Sequence, residues 1–161
     1  MGVGKSTIGK LLASELGYPF YDTDQLIEDR TGADISWIFD VEGESGFRER
    51  EHNLLKELLE ESNDTKVIAT GGGIVVRKDN RQLIQTCDSV IYLQADIDQL
   101  IARTARDKKR PLLQVDNREQ QIRKLMAERE PLYREVATAS VHANKSGPKQ
   151  VVDDILKLIH Q

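Results

Sequence analysis

Gly2-Val3-Gly4-Lys5-Ser6-Thr7 is the first stretch of this chain that could do chemistry. It matches the end of the Gly-x-x-x-x-Gly-Lys-[Ser/Thr] pattern. Glycines let successive backbone amides curve around phosphate oxygens with no Cβ in the way. A helix beginning near Lys5 adds its free N–H groups and the positive end of its dipole. Lys5 can reach the β- and γ-phosphates of a nucleotide, and the Ser6 hydroxyl can ligate Mg²⁺. A chance lysine in a glycine-rich end is the bland alternative. It is disfavoured because Ile8, Leu11, Leu12 and Leu16 follow at helical spacing, stopped by Gly17.

Four further groups have suitable types and spacing. Asp22 and Asp24 follow an aromatic run, Tyr18 to Tyr21, that reads as a short strand. One suits Mg²⁺, which wants hard oxygens; the other suits a general base. Alternatively, either could cap the helix containing Leu26 and Ile27. Arg48 and Glu51 lie three apart on a helix, as a carboxylate clamp with its orienting acid or as a surface pair worth only about 0.2–0.5 kcal/mol. Gly71, Gly72 and Gly73 end a buried strand, either as a tight turn or as a ligand loop at the carboxyl end of a sheet. Arg129 precedes Pro131, either solvated or turned into a site. His52, His142 and His160 show no metal-ligand spacing.

The elements that must position these residues alternate. Val67–Ala69 and 89–93 read as short buried strands, and 96–104 as a helix behind the second. A helical turn or two spans 35–41, and a longer helix spans 44–61 with Phe47, Leu54, Leu55, Leu58 and Leu59 on its inner face. Residues 118–133 read as another helix, 141–144 as a last strand, and a terminal helix is lined by Val152, Ile155, Leu156 and Ile159. This alternation predicts an α/β fold with a parallel sheet in one domain over 1–161. Residues 106–118 are charged, carry Pro111, and read as an exposed segment. With 161 residues the chain needs no staple, and the single Cys87 excludes an intrachain disulfide. The 27 acidic residues outnumber the 23 Lys plus Arg, which argues against a general nucleic-acid binder. No apolar run approaches a membrane span and no signal-peptide stretch opens the chain, so a cytoplasmic location is expected.

Six motifs in order resemble the shikimate kinase family: Gly4-Lys5-Ser6-Thr7, Asp22-Thr23-Asp24, Phe47-Arg48-x-x-Glu51, Gly71-Gly72-Gly73, Arg110-Pro111-Leu112-Leu113 and Glu128-Arg129-x-Pro131-Leu132-Tyr133. The resemblance implies a P-loop kinase similar to nucleoside monophosphate kinases, with a five-stranded parallel sheet ordered 2-3-1-4-5. It implies ATP-dependent phosphorylation of the 3-hydroxyl of shikimate, with Mg²⁺, by a monomer. The implied cofactor contacts are Gly2, Val3, Gly4, Lys5, Ser6 and Thr7, with Arg103 stacking on adenine and Asn144 to Pro148 beside it. Ser6 and Asp22 would lie at the metal. Asp24, Arg48, Glu51, Gly71, Gly72, Gly73 and Arg129 would hold shikimate within a substrate region at about 24–60 and beyond. Asp24 would accept the attacking hydroxyl's proton. Phe39 and Phe47 would wall the pocket. Arg110 would enter over the phosphates from a lid at about 106–118, acting with Lys5 and Asp24 in catalysis.

The loop's first glycine would lie one residue before Met1, and the strand that feeds such loops would precede it. The expectation is therefore that the complete protein carries a central strand upstream. Two alternatives stand beside the kinase reading. One is another small-molecule P-loop kinase, such as a gluconate or nucleoside monophosphate kinase. The other is a nonenzymatic nucleotide-binding protein; a guanine-recognition Asn-Lys-x-Asp motif is absent, because Asn144-Lys145-Ser146-Gly147 lacks its aspartate.

Overall fold

Gly4 turns the chain into its first helix with a φ of 92°, a left-handed conformation that glycine adopts without a Cβ penalty. The computed structural model describes residues 2–61, 64–105, 111–143 and 147–159. Helix α1 (Lys5–Leu16) ends at Gly17, and β1 (Phe20–Asp22) follows. Asp22 then caps α2 (Thr23–Thr31), its Oδ1 accepting from the amides of Asp24 and Gln25 at 3.1 and 3.2 Å. Strand geometry therefore stops at Asp22, and Asp24 stands in the first helical turn.

The two helical stretches expected after residue 34 are continuous as α3 (Ile35–Glu60), broken only by a kink at Gly43, where φ is 72° and ψ is 177°. Glu42 and Arg50 span this kink with a two-point ion pair at 2.7 and 2.8 Å. Strand β2 (Val67–Ala69) leads through a 3-10 turn at Ile74–Val76 into α4 (Lys78–Ile84). The sequence reading has no helix at α4, which is short and mostly polar. Then come β3 (Ile91–Gln94), α5 (Ile97–Thr104), α6 (Arg118–Val136), β4 (Ala139–His142) and α7 (Pro148–Ile159).

Among the described residues the strands form two parallel pairs, β1 with β2 and β3 with β4, and not a five-stranded sheet. Three apolar clusters hold the layers. The largest joins α1, α5, α6, α7 and β4 through Ile8, Leu100, Ile122, Val141 and Val152. A second joins α2 and α3 through Ile27, Ile38, Phe47, Leu54 and Leu58. A third joins α3 and α4 to α6 through Leu55, Ile84 and Val136.

One expectation changes in part. Leu113 and Arg118 anchor the segment 111–118, while Gln114 to Asn117 between them are exposed as expected. Leu113 is completely buried in the largest cluster, and Arg118 donates to the carbonyls of Leu113, Thr104 and Ala105 at 3.1, 2.9 and 2.7 Å. Trp37 lies 53% exposed, because the second cluster is filled from the other side of α3 by Ile38 and Phe47. No described helix is long and apolar enough to cross a membrane.

Candidate active site

Parallel pairing of β1 with β2 sets Asp22 opposite Ala69, so the chain leaves both strands at the same end. Asp22-Thr23-Asp24 and Thr70-Gly71-Gly72-Gly73 therefore start side by side. Thr23 is fully buried between the two acids, and its Oγ1 accepts from the Gly71 amide at 3.3 Å. That contact gives a structural reason for a hydroxyl between two aspartates, which spacing alone does not reveal.

Close packing accounts for the glycine run. A Cβ on Gly71 would stand 2.7 Å from Asp24 Oδ1 and 3.0 Å from Glu51 Oε1. One on Gly73 would stand 2.3 Å from both terminal nitrogens of Arg48. Gly71 and Gly73 are thus required by the protein's own charged side chains. Arg48 and Glu51 form no surface pair. Arg48 is buried and Glu51 completely so, and Nη1 donates to Glu51 Oε2 at 2.7 Å. Glu51 Oε1 is buried without a hydrogen-bond partner among the described residues. Burial pushes the Glu51 carboxyl above its ordinary value; Arg48 opposes that shift, and nearby Asp24 adds to it.

Arg129 is buried on α6, not solvated, and acts electrostatically on Glu51. One turn on, Tyr133 donates its hydroxyl to the Gly72 carbonyl at 2.6 Å. Its ring packs against Tyr92, with centroids 5.1 Å apart. Burial raises the Tyr133 pKa, and the charge of nearby Arg129 opposes the rise. Tyr133 thus stands one helical turn from Arg129 and bonds to the glycine loop. Sequence reasoning gave it no role, although it closes the Glu128–Tyr133 motif. Nor did it find Asn80, which is fully buried and donates to the Ile74 carbonyl at 2.9 Å while its Oδ1 meets His52 Nδ1 at 2.7 Å. This pair ties the turn after the glycines to α3. Phe39 and Phe47 lie together, ring centroids 5.0 Å apart, and the Arg48 guanidinium stands 5.3 Å from the centre of the Phe47 ring. A cavity of about 270 Å³ is lined by Glu44, Val76, Leu112, Arg129 and Leu132, among others.

The phosphate-loop end is built differently. Val3 is buried in the largest cluster and pins the loop, while Gly4, Ser6 and Thr7 are exposed and Gly2 and Lys5 are half-buried. Ser6 Oγ donates to Asp22 Oδ2, bringing the two expected metal-side residues into contact. They line a second cavity of about 260 Å³ with Lys10, Tyr21 and Gln25. No group of three or more His, Cys, Asp or Glu among the described residues could hold a metal alone. A hydroxyl beside one carboxylate nevertheless fits Mg²⁺, which keeps waters and shares nucleotide phosphates. Arg103 is exposed and approaches the Gly2 carbonyl at 3.4 Å. Arg110 and residues 144–146 lie outside the described residues, and with them the lid arginine and most of the adenine loop.

Comparison with known proteins gives this constellation a family. The family model for shikimate kinase matches residues 1–160. The chain belongs to the shikimate kinase family. It is 54% identical over 157 residues to a shikimate kinase of Chromohalobacter salexigens, covering 98% of this chain and 86% of that one. A shikimate kinase of Pseudomonas aeruginosa is 54% identical over 161 residues, covering 100% of this chain and 92% of the relative. Among solved structures, the shikimate kinase from Acinetobacter baumannii in complex with shikimate matches with a TM-score of 0.94 and 46% identity, over 99% of this chain and 88% of that one. A gluconokinase from Sinorhizobium meliloti matches with a TM-score of 0.63 at 17% identity, a likeness of fold alone.

Proposed function

We propose that this chain transfers the γ-phosphoryl group of ATP to the 3-hydroxyl of shikimate, giving shikimate 3-phosphate and ADP on the route to chorismate and the aromatic amino acids. The observation that carries this reading is the convergence of buried Arg48 and Glu51 with half-buried Asp24 at the glycine turn, with buried Arg129 acting on Glu51, in a chain of this family. Two arginines suit a carboxylate, since guanidinium offers paired N–H groups to two oxygens. Arg48 and Arg129 are assigned to the shikimate carboxylate. Glu51 and the backbone of Gly71, Gly72 and Gly73 are assigned to its hydroxyls.

Asp24 takes the proton of the attacking hydroxyl, at the helix turn where Thr23 fixes the neighbouring loop. When bound, ATP supplies the phosphoryl group and Mg²⁺ neutralises charge on its oxygens. Gly2, Val3, Gly4, Lys5, Ser6 and Thr7 are the residues to hold the phosphates, Ser6 and Asp22 the metal, and Arg103 the adenine. Lys5 and Arg110 then stabilise charge on the transferring group. The strand pairs β1–β2 and β3–β4 are read as the outer pairs of a 2-3-1-4-5 sheet, in which a central strand joins them. A cytoplasmic monomer is the accompanying expectation.

The test is ADP release coupled to acceptor, with shikimate, gluconate and a nucleoside monophosphate compared, with and without Mg²⁺. Shikimate should be the preferred acceptor and Mg²⁺ should be required. Faster turnover of gluconate or of the nucleotide would overturn the assignment. Shikimate binding with no turnover of any acceptor would favour a nonenzymatic role.

A further inference from the structure

Arg48 already faces a carboxylate on the edge that the substrate would need. Its Nη1 is committed to Glu51 Oε2 at 2.7 Å. Its remaining edge, Nε with Nη2, is the pair of donors whose spacing matches two carboxylate oxygens. That edge meets Glu44 Oε1 at 3.4 and 3.2 Å. One oxygen thus serves both donors, and both distances exceed the roughly 2.7–2.9 Å of a well-formed charge-assisted bond. The Glu44 side chain is 48% exposed, whereas that of Arg48 is 11% exposed. Glu44 also lines the cavity that Arg129 lines.

We propose that Glu44 is an internal stand-in for the substrate carboxylate. It holds the free edge of Arg48 until a ligand carboxylate with two well-placed oxygens displaces it. The inference rests on the reading of Arg48 as a shikimate carboxylate contact. Glu51 cannot serve the same purpose, because it is completely buried and has no water to return to. Glu44 gives up a single shared contact and swings its half-exposed carboxylate into solvent. Without Glu44 the outer edge of the buried Arg48 guanidinium would lose its acceptor, which is costly. The stand-in therefore keeps the guanidinium oriented, at the expense of competing with substrate. Two carboxylates on one fork also repel, so ligands that carry a weaker or single-oxygen acceptor should fail to dislodge it.

This assignment predicts an effect of unusual sign. Substituting a residue that contacts substrate raises KM, whereas removing a competitor lowers it. Glu44→Gln keeps the side-chain shape and an amide oxygen but loses the charge. Its KM for shikimate should fall about twofold, the scale of an exposed i,i+4 ion pair. The difference should shrink at high salt, and KM for ATP should not follow it. Glu44→Ala should shift KM for shikimate the same way, with urea unfolding used to check that each variant is folded. An unchanged or raised KM for shikimate in both variants overturns the proposal. So does a crystal structure of the shikimate complex in which Glu44 stays within about 4 Å of Arg48 Nε and Nη2. If the unsubstituted protein does not phosphorylate shikimate at all, it is the functional reading that falls. If it does, and the Glu44 variants bind shikimate more weakly, only the stand-in falls.

Discussion

The acceptor half and the nucleotide half of this site are made of different materials. Around the glycine turn the contacts are side chain to side chain or side chain to backbone, and they are wholly or partly buried: Arg48 to Glu51, Gly71 to Thr23, and Tyr133 to Gly72. At the phosphate loop the working parts are exposed backbone and short side chains, joined to the acceptor half by the Ser6–Asp22 bond. A polar network out of water is costly to break, because each orphaned group retains its desolvation penalty. An exposed loop loses little stability when one side chain is cut. Substitutions in the acceptor half should therefore damage folding and KM together, while those in the nucleotide half should damage function alone.

Arg48→Ala is the hardest blow to the first half. It strips Glu51 of its buried partner, and breaking such a pair costs about 3–5 kcal/mol. Urea unfolding should show that loss, and kcat/KM for shikimate should fall about a hundredfold. A normal unfolding midpoint would erase the contrast between the halves. Gly73→Ala comes next. Its Cβ meets the Arg48 guanidinium at 2.3 Å, so the arginine or the loop must move. A stability loss of about 1–3 kcal/mol is expected, with a raised KM for shikimate and an unaltered KM for ATP.

On the other side, Ser6→Ala should leave the unfolding midpoint within about 0.5 kcal/mol. It should raise the Mg²⁺ concentration for half-maximal rate by at least about tenfold. A larger stability loss than that of Gly73→Ala would invert the comparison. Tyr133→Phe removes only the hydroxyl that bridges to Gly72. It should cost about 1 kcal/mol in shikimate affinity, read by calorimetry.

The smallest expected effect is a pH dependence. Glu51 is held above its ordinary value of 4.5, chiefly by burial. A raised carboxyl contributes stability below the unfolded value and loses it as pH rises through the folded one. Relative to Glu51→Gln, the unsubstituted protein should therefore become progressively less stable as pH climbs above 4.5 toward neutrality. A gap that is flat across that range would mean that Arg48 fully offsets the burial.

Much of this was legible in the residues. The periodicity of Ile8 to Leu16 and the stop at Gly17 marked α1, and Val67–Ala69 marked β2 exactly where they occur. The motif residues Asp24, Arg48, Glu51 and Gly71 to Gly73 do come together. Helix α4 was illegible, because its seven mostly polar residues have little apolar period to read. The depth of Leu113 was hidden by its charged neighbours, since local composition says nothing about a distant cluster reaching up to receive it. Asp22 rather than Asp24 proved to be the helix cap, a choice set by where the strand stops. Tyr133 and Asn80 escaped because their bonds run to backbone carbonyls, and backbone acceptors leave no mark in a sequence.

Helix α3 has a consequence for how the molecule comes apart. Leu54 and Leu58 face one apolar cluster, while their neighbour Leu55 faces another. The helix is a shared wall, and Arg48 and Glu51 are mounted in it. Neither cluster can open without losing the surface it packs on, so the two should melt as one unit. Amides in the segment 47–58 should then exchange with deuterium only through whole-molecule opening, at the slow limit set by global stability. A partly unfolded form would retain no acceptor half, and shikimate should slow exchange along α3 by the full factor that its binding adds to stability.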